Sequence, residues 1–205
     1  GGIFIADGTL TVQSGTAIDR NIAHRAGGGI EIVTGTANIS GGGTGIRMNQ
    51  ALGVGGVPGT GGNGGGLHIT GGASVTIFNS IVSGNTAANE GGGLWNSATG
   101  TLVVNVTQVN NNTAQGNGGG GIFNNGGTLD LNSGAGPISV NGNMTTGANG
   151  AGHGGGILSV GGPVTIDGVA GQTGTVNSNT AFGYGGGIAM FAGTLDISLT
   201  NIGNN

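Results

Sequence analysis

The stretch GGGLWNSATGTLVVNVTQVNNNTA, residues 91–114, carries three landmarks in a fixed order. A glycine triplet runs straight into an aliphatic residue, Leu94. A threonine then opens an alternating run in which Leu102 and Val104 flank Val103. Finally Val109 stands three residues before Asn112, and Thr113–Ala114 follows. Alternation at period two marks a half-buried strand. The Gly and Asn clusters between such runs mark turns.

The same three landmarks recur along the whole chain. The aliphatic residue after the glycines is Ile3, Ile30, Leu67, Leu94, Ile122, Ile157 and Ile188, at spacings of 27 to 37 residues. The alternating run appears as GTLTV, GTANI, ASVTI, GTLVV, GTLDL, GPVTI and GTLDI. The I/V-x-x-N pair occurs as Ile18/Asn21, Ile46/Asn49, Val82/Asn85, Val109/Asn112, Val140/Asn143, Val176/Asn179 and Ile202/Asn205. Each copy therefore holds three short strands joined by turns. One copy alone cannot bury its apolar face, but stacked copies can. The expected fold is all-β: a parallel β-helix of about seven coils with three short strands per coil. It forms a single domain over residues 1–205, read as a section of a longer repeat array. Coils that vary this much in length favour the right-handed form.

Composition agrees. Glycine supplies 55 of 205 residues, against about 7% in average proteins. Glycine costs backbone entropy on folding, so a sharp corner repeated in every coil is a reason for so many. Collagen is excluded, because only 3 residues are proline and glycine does not recur at every third position. With three arginines, no lysine and a net charge of −4, the chain has no basic face for nucleic acid. It contains no cysteine, so disulfide and thiolate chemistry are absent. No apolar run approaches the roughly 20 residues of a membrane span, so this segment is not expected to insert into a bilayer.

The combination GGGI…GTL…V-x-x-N-x-A resembles the GGA[I/L] and FxxN repeats of the chlamydial polymorphic outer-membrane proteins. It also resembles bacterial surface proteins with right-handed β-helix repeats. Here Ile or Val replaces the Phe of FxxN, and the third residue of the glycine motif is Gly. The resemblance implies an autotransporter-passenger-like rod, secreted to the cell surface or the extracellular space.

Two rows attract attention. Asn21, Asn49, Asn85, Asn112, Asn143, Asn179 and Asn205 are expected to stack as one structural ladder, because an amide can donate to one neighbour and accept from the other. On the outward side of the first strand the row reads Phe4, Glu31, His68, Trp95, Phe123, Leu158 and Ala189. His68, Trp95, Phe123 and Leu158 would lie in line as a ligand or packing surface. A neighbouring subunit, a loop of the same chain or a sugar ring could cover such a row. The insertions QALGVGGVPGTGGN and MTTGANGAGH immediately precede the first strand of their coils and border it. The outward Thr-rich rows of the second strand are interrupted by Val103, Asp130, Pro163 and Asp196, so they read as a solvated β face.

Chemistry is sparse. Asp130, Asp167 and Asp196 are the candidates for a glycan-cleaving carboxylate set. Asp130 and Asp196 sit two coils apart, about 9.6 Å, within reach of the separations glycosidases use. No arginine lies beyond residue 47 and no lysine exists to hold a uronate. His24, His68 and His153 fall in different coils and motif phases, so no metal site is expected, and no cofactor. The expected role is a non-enzymatic structural or adhesive rod that associates with itself, end to end or laterally, or with other surface proteins. The alternative is a carbohydrate-binding adhesin domain that uses the aromatic row, with a polysaccharide lyase or hydrolase behind it.

Overall fold

The structure, a computed structural model, describes residues 1–53, 61–147 and 150–205. Residues 54–60 and 148–149, within the two longer insertions, lie outside the described residues. The chain is a parallel β-helix. Among the described residues every strand pairs with its equivalent in the next coil, giving three sheets of seven strands and a fourth of five. The first sheet starts at Ile3–Ile5 and ends at Ile188–Met190; the second runs from Thr9–Gln13 to Thr194–Ser198; the third from Ala17–Asp19 to Thr200–Gly203. Like residues stand over like. Val75 lies between Ala37 and Leu102, and Val82 between Ile46 and Val109. At about 4.8 Å per step, seven coils make a rod near 30 Å long.

The fourth sheet was not anticipated. It consists of two-residue strands, Ile22–Ala23, Gln50–Ala51, Thr86–Ala87, Thr113–Ala114 and Met144–Thr145. These follow the ladder asparagines directly. The small residue in each is buried because this side of the coil lies close against the glycine motif.

The inward residues of the first three sheets form one continuous core, including Ile30, Leu67, Leu94, Leu102, Leu129 and Ile157. Burying such side chains contributes roughly 1.5–3 kcal/mol each. One inward row changes character. Ile32 and Ile69 are followed, at the same position of the next three coils, by Asn96, Asn124 and Ser159, all buried. The Asn96 side-chain amide donates to the Asn124 carbonyl at 2.8 Å, and that of Asn124 donates to Ser159 Oγ at 3.2 Å. Both amides also donate to backbone carbonyls, Asn96 to Thr128 at 3.0 Å and Asn124 to Gly127 at 2.9 Å, while Asn96 Oδ1 is buried with no hydrogen-bond partner.

The triplet Gly91–Gly93 shows why the motif needs three glycines. Gly91 has φ +63°, and a Cβ there would sit 3.0 Å from Trp95 Cβ. A Cβ on Gly92 would overlap the carbonyl oxygens of Gly120 and Thr113, where the first and fourth sheets meet. A Cβ on Gly93 would press on the Asn112 amide at 3.1 Å. The left-handed bend at the first glycine folds the preceding residues back over the outward row of the first strand.

Candidate functional site

The asparagine ladder is continuous from Asn21 to Asn205. The Oδ1 of Asn49 accepts from both the backbone N–H and the side-chain amide of Asn21, each at 3.0 Å. The same pair of bonds repeats from Asn49 to Asn85, Asn85 to Asn112, Asn112 to Asn143, Asn143 to Asn179 and Asn179 to Asn205. From Asn49 onward an amide hydrogen also goes to a carbonyl one coil back, as from Asn85 to Ile46 at 2.9 Å. Asn49, Asn85, Asn112, Asn143 and Asn179 are buried. The residue before each ladder Asn has positive φ: Arg20, Met48, Asn111, Ser178 and Asn204 among non-glycines, with Gly84 and Gly142 between them. With the amides of Asn49, Asn85, Asn112, Asn143 and Asn179 engaged on both sides and buried, the interior of this row is structural.

The outward row of the first sheet is in register: His68 beside Trp95, Trp95 beside Phe123, Phe123 beside Leu158. Its rings stack. His68 and Trp95 have centroids 4.3 Å apart, and Trp95 and Phe123 are 5.8 Å apart with nearly parallel planes. The row is nevertheless not an exposed platform. His68 is 5% exposed, Trp95 8%, Phe123 4% and Leu158 2%, whereas Phe4 in the first coil is 60% exposed. The cover comes from the chain itself. Residues before each glycine triplet form a second line beside the row, with Glu90, Gly118 and His153 bridged to one another. The Trp95 indole N–H donates to Glu90 at 3.1 Å, and the Asn117 amide donates to the other Glu90 oxygen at 2.8 Å.

Further toward the N-terminus the row is polar and closed. Arg25 pairs with Glu31. Thr70 Oγ1 donates to Glu31 at 2.8 Å and lies 2.9 Å from His68 Nδ1. The hydroxyl hydrogen is used on Glu31, so Thr70 accepts from His68, whose proton sits on Nδ1. Burial, then the nearby Arg25 charge, lowers the His68 pKa from 6.5 to about 3.

Toward the C-terminus the cover thins into a groove of about 250 Å³. Phe123, Leu158 and Val160 lie along its apolar floor, Glu90 and Asn117 along one rim, and His153, Ala151 and Phe191 complete the lining. His153 stacks on Tyr184 at 5.1 Å and meets Phe191 edge to face at 5.1 Å. The Tyr184 backbone N–H donates to His153 Nδ1 at 2.9 Å. Tyr184 is 73% exposed and Phe191 55%. A second cavity of about 330 Å³, beside the fourth sheet, is lined by small and neutral groups such as Gln50, Thr86 and Gln115.

No protein-family model, curated protein or solved structure matches the chain. The chemistry therefore rests on the geometry of the residues.

The carboxylates lie elsewhere, on the outward face of the second sheet. Thr165 stands between Asp130 and Asp196 in the register, and Asp167 pairs with Asn132 and Ser198. Ser198 Oγ donates to Asp167 at 2.8 Å. Burial, then the Asp167 charge, raises the Asp130 pKa above its ordinary value. Neither cavity is lined by an aspartate. Among the described residues no three His, Cys, Asp or Glu side chains converge on a metal position. Of the charged cluster in the first two coils, Arg25 and Glu31 form an ion pair and Asp19 pairs with Arg47 in the register.

Glu90, Asn117, Tyr184 and Phe191 were not singled out in the sequence, and His153 was weighed only as a metal ligand. The signal was there: the fourth residue before each motif aliphatic reads Ala26, Asn63, Glu90, Gly118, His153 and Tyr184. Its side-by-side alignment depends on the bend at the first glycine, which spacing alone does not reveal.

Proposed function

We propose that the chain is a non-enzymatic structural or adhesive rod, displayed extracellularly or at a bacterial cell surface, that associates with further copies of itself or with other surface proteins. The observation that carries this reading is the unbroken ladder from Asn21 to Asn205, in which each coil binds the next by the same amide bonds. Such a scaffold is stiff along its axis and extends by repetition. The near absence of charge, with only 3 basic and 7 acidic residues, leaves little repulsion between rods lying side by side. Asp130 and Asp167 sit on a β face beside threonine and serine, without a basic partner in the register to position a substrate.

The test is negative-stain electron microscopy with sedimentation over a range of concentrations. Regular fibres or bundles that grow with concentration support assembly. Short separate rods of constant mass at every concentration count against it. A second reading, carbohydrate binding, is favoured by the aromatic groove rather than by the buried row from which it was first inferred.

A further inference from the structure

We propose that the groove over Phe123, Leu158 and Val160 binds one ring of a neutral pyranose oligosaccharide. Phe123 and Leu158 close the bottom of the groove and are almost fully buried, so the apolar contact surface comes from the partly buried Val160 and the exposed ring of Phe191. A sugar ring presents an apolar C–H face to such a surface and hydroxyls around its edge. The rim supplies the matching polar groups. Glu90 is held by Trp95 and Asn117, one on each oxygen, and a carboxylate has about four acceptor directions, so each oxygen keeps one. His153 accepts on Nδ1 from the Tyr184 amide, so in the neutral ring the proton sits on Nε2, a donor. Acceptors and a donor around an aromatic and aliphatic floor suit hydroxyl groups, which both give and take hydrogen bonds.

The alternatives fit less well. An anionic sugar would meet Glu90 in a chain of net charge −4 whose three arginines all precede residue 48. A cationic side chain would find Glu90 attractive but the His153 N–H repulsive. A purely apolar ligand would strip water from the carboxylate without replacing it, which costs free energy. At about 250 Å³ the groove is at the small end of ligand sites, so one ring occupies it and its neighbours extend along the rod.

The groove is complete within one chain, so this inference does not rest on assembly. Rods that form no fibres yet bind sugar overturn the first reading and leave this one standing.

The experiment is calorimetric titration of the full chain with hexasaccharides of neutral glucose, mannose and N-acetylglucosamine, with a hexagalacturonate and an oligolysine as comparators. Saturable binding of at least one neutral hexasaccharide is expected, with no binding of the galacturonate. Phe191→Ala and Glu90→Gln are each expected to weaken it by about tenfold to a hundredfold. The thermal midpoint of Phe191→Ala should match the parent, since that ring is exposed. No binding of any neutral hexasaccharide, binding untouched by both substitutions, or a preference for oligolysine overturns the proposal.

Discussion

The side-chain oxygen of Asn85 accepts two hydrogen bonds from Asn49, one from its backbone N–H and one from its amide, both at 3.0 Å. The Asn85 amide nitrogen in turn donates to Asn112 Oδ1 and to the Ile46 carbonyl, each at 2.9 Å. One buried side chain thus satisfies polar groups in both neighbouring coils. Asn85→Ala would leave both Asn49 donors without partners and remove the amide bond to the Ile46 carbonyl. Each unmet buried group costs about 1–3 kcal/mol, so a loss of roughly 3–5 kcal/mol is expected in urea unfolding. Asn85→Asp should be no milder, because it keeps the acceptor, loses both donors and buries a charge beside two oxygens. A loss under about 1 kcal/mol for both variants would mean that the ladder is incidental to stability.

The corner before each ladder asparagine makes a second, smaller prediction. Met48 adopts φ +53° and Gly84, one coil on, φ +64°. The left-handed region costs a non-glycine residue about 1–2 kcal/mol, partly offset by the entropy a glycine loses on folding. Met48→Gly should therefore stabilise by about 0.5–1 kcal/mol. Gly84→Ala should destabilise by about 1 kcal/mol through φ alone, since a Cβ there meets Met48 Cγ at an ordinary 3.5 Å. Thermal midpoints that move in the same direction for the two variants would refute this account of the corner.

The coil was readable in the sequence because its two signals are local and repeat: alternation puts Leu102 and Val104 inward, and I/V-x-x-N spaces each asparagine from its strand. Three features were not readable, for different reasons. The strand Thr86–Ala87 is two residues long, too short for any periodicity, and only the recurrent alanine marks it. Asn96 and Asn124 occupy core positions where alternation calls for aliphatic residues; their amides donate to the neighbouring coil and to the carbonyls of Thr128 and Gly127, partners that alternation does not reveal. The burial of Trp95 depends on a backbone reversal at Gly91 that lays Glu90 beside the indole. A reading by strand alternation counts Trp95 as outward, which is correct, but does not say that the residues before the glycine triplet are what cover it.

Asp130 and Asp167 offer an electrostatic test. The Asp130 pKa is raised by partial burial and by the Asp167 charge. A carboxyl with a raised folded-state pKa favours the folded state while protonated, and that stability is lost as pH rises through the folded pKa. Asp130→Asn removes the like charge permanently. It should stabilise the protein at pH 7 by a few tenths of a kcal/mol, because both carboxylates are half-buried and still screened by solvent. The gain should shrink in high salt and vanish below the pKa range of aspartate, where the parent is itself neutral. A gain that persists undiminished at low pH would assign the effect to packing instead of charge.

His68 sets the acid limit of the fold in a way that can be isolated from the carboxylates. Its folded-state pKa is lowered to about 3 from 6.5, first by burial and then by Arg25. Below pH 6.5 the unfolded chain takes up a proton on this residue, while the folded chain does not until about pH 3. Stability must therefore fall as pH drops through that window, by up to about 1.4 kcal/mol per unit. The ring cannot accept the proton without cost: Nδ1–H already donates to Thr70, whose own hydrogen goes to Glu31, and one face lies against Trp95. His68→Phe keeps a ring on the Trp95 face and cannot be protonated. The variant should unfold at a similar urea concentration to the parent at pH 7 and be the more stable of the two at pH 4. The difference between the two proteins cancels the titration of the acidic residues they share. Parallel stability curves from pH 7 to pH 4 would mean that His68 takes up its proton over the same pH range in the folded chain as in the unfolded one, and that the buried row is more open to water than its stacked rings indicate.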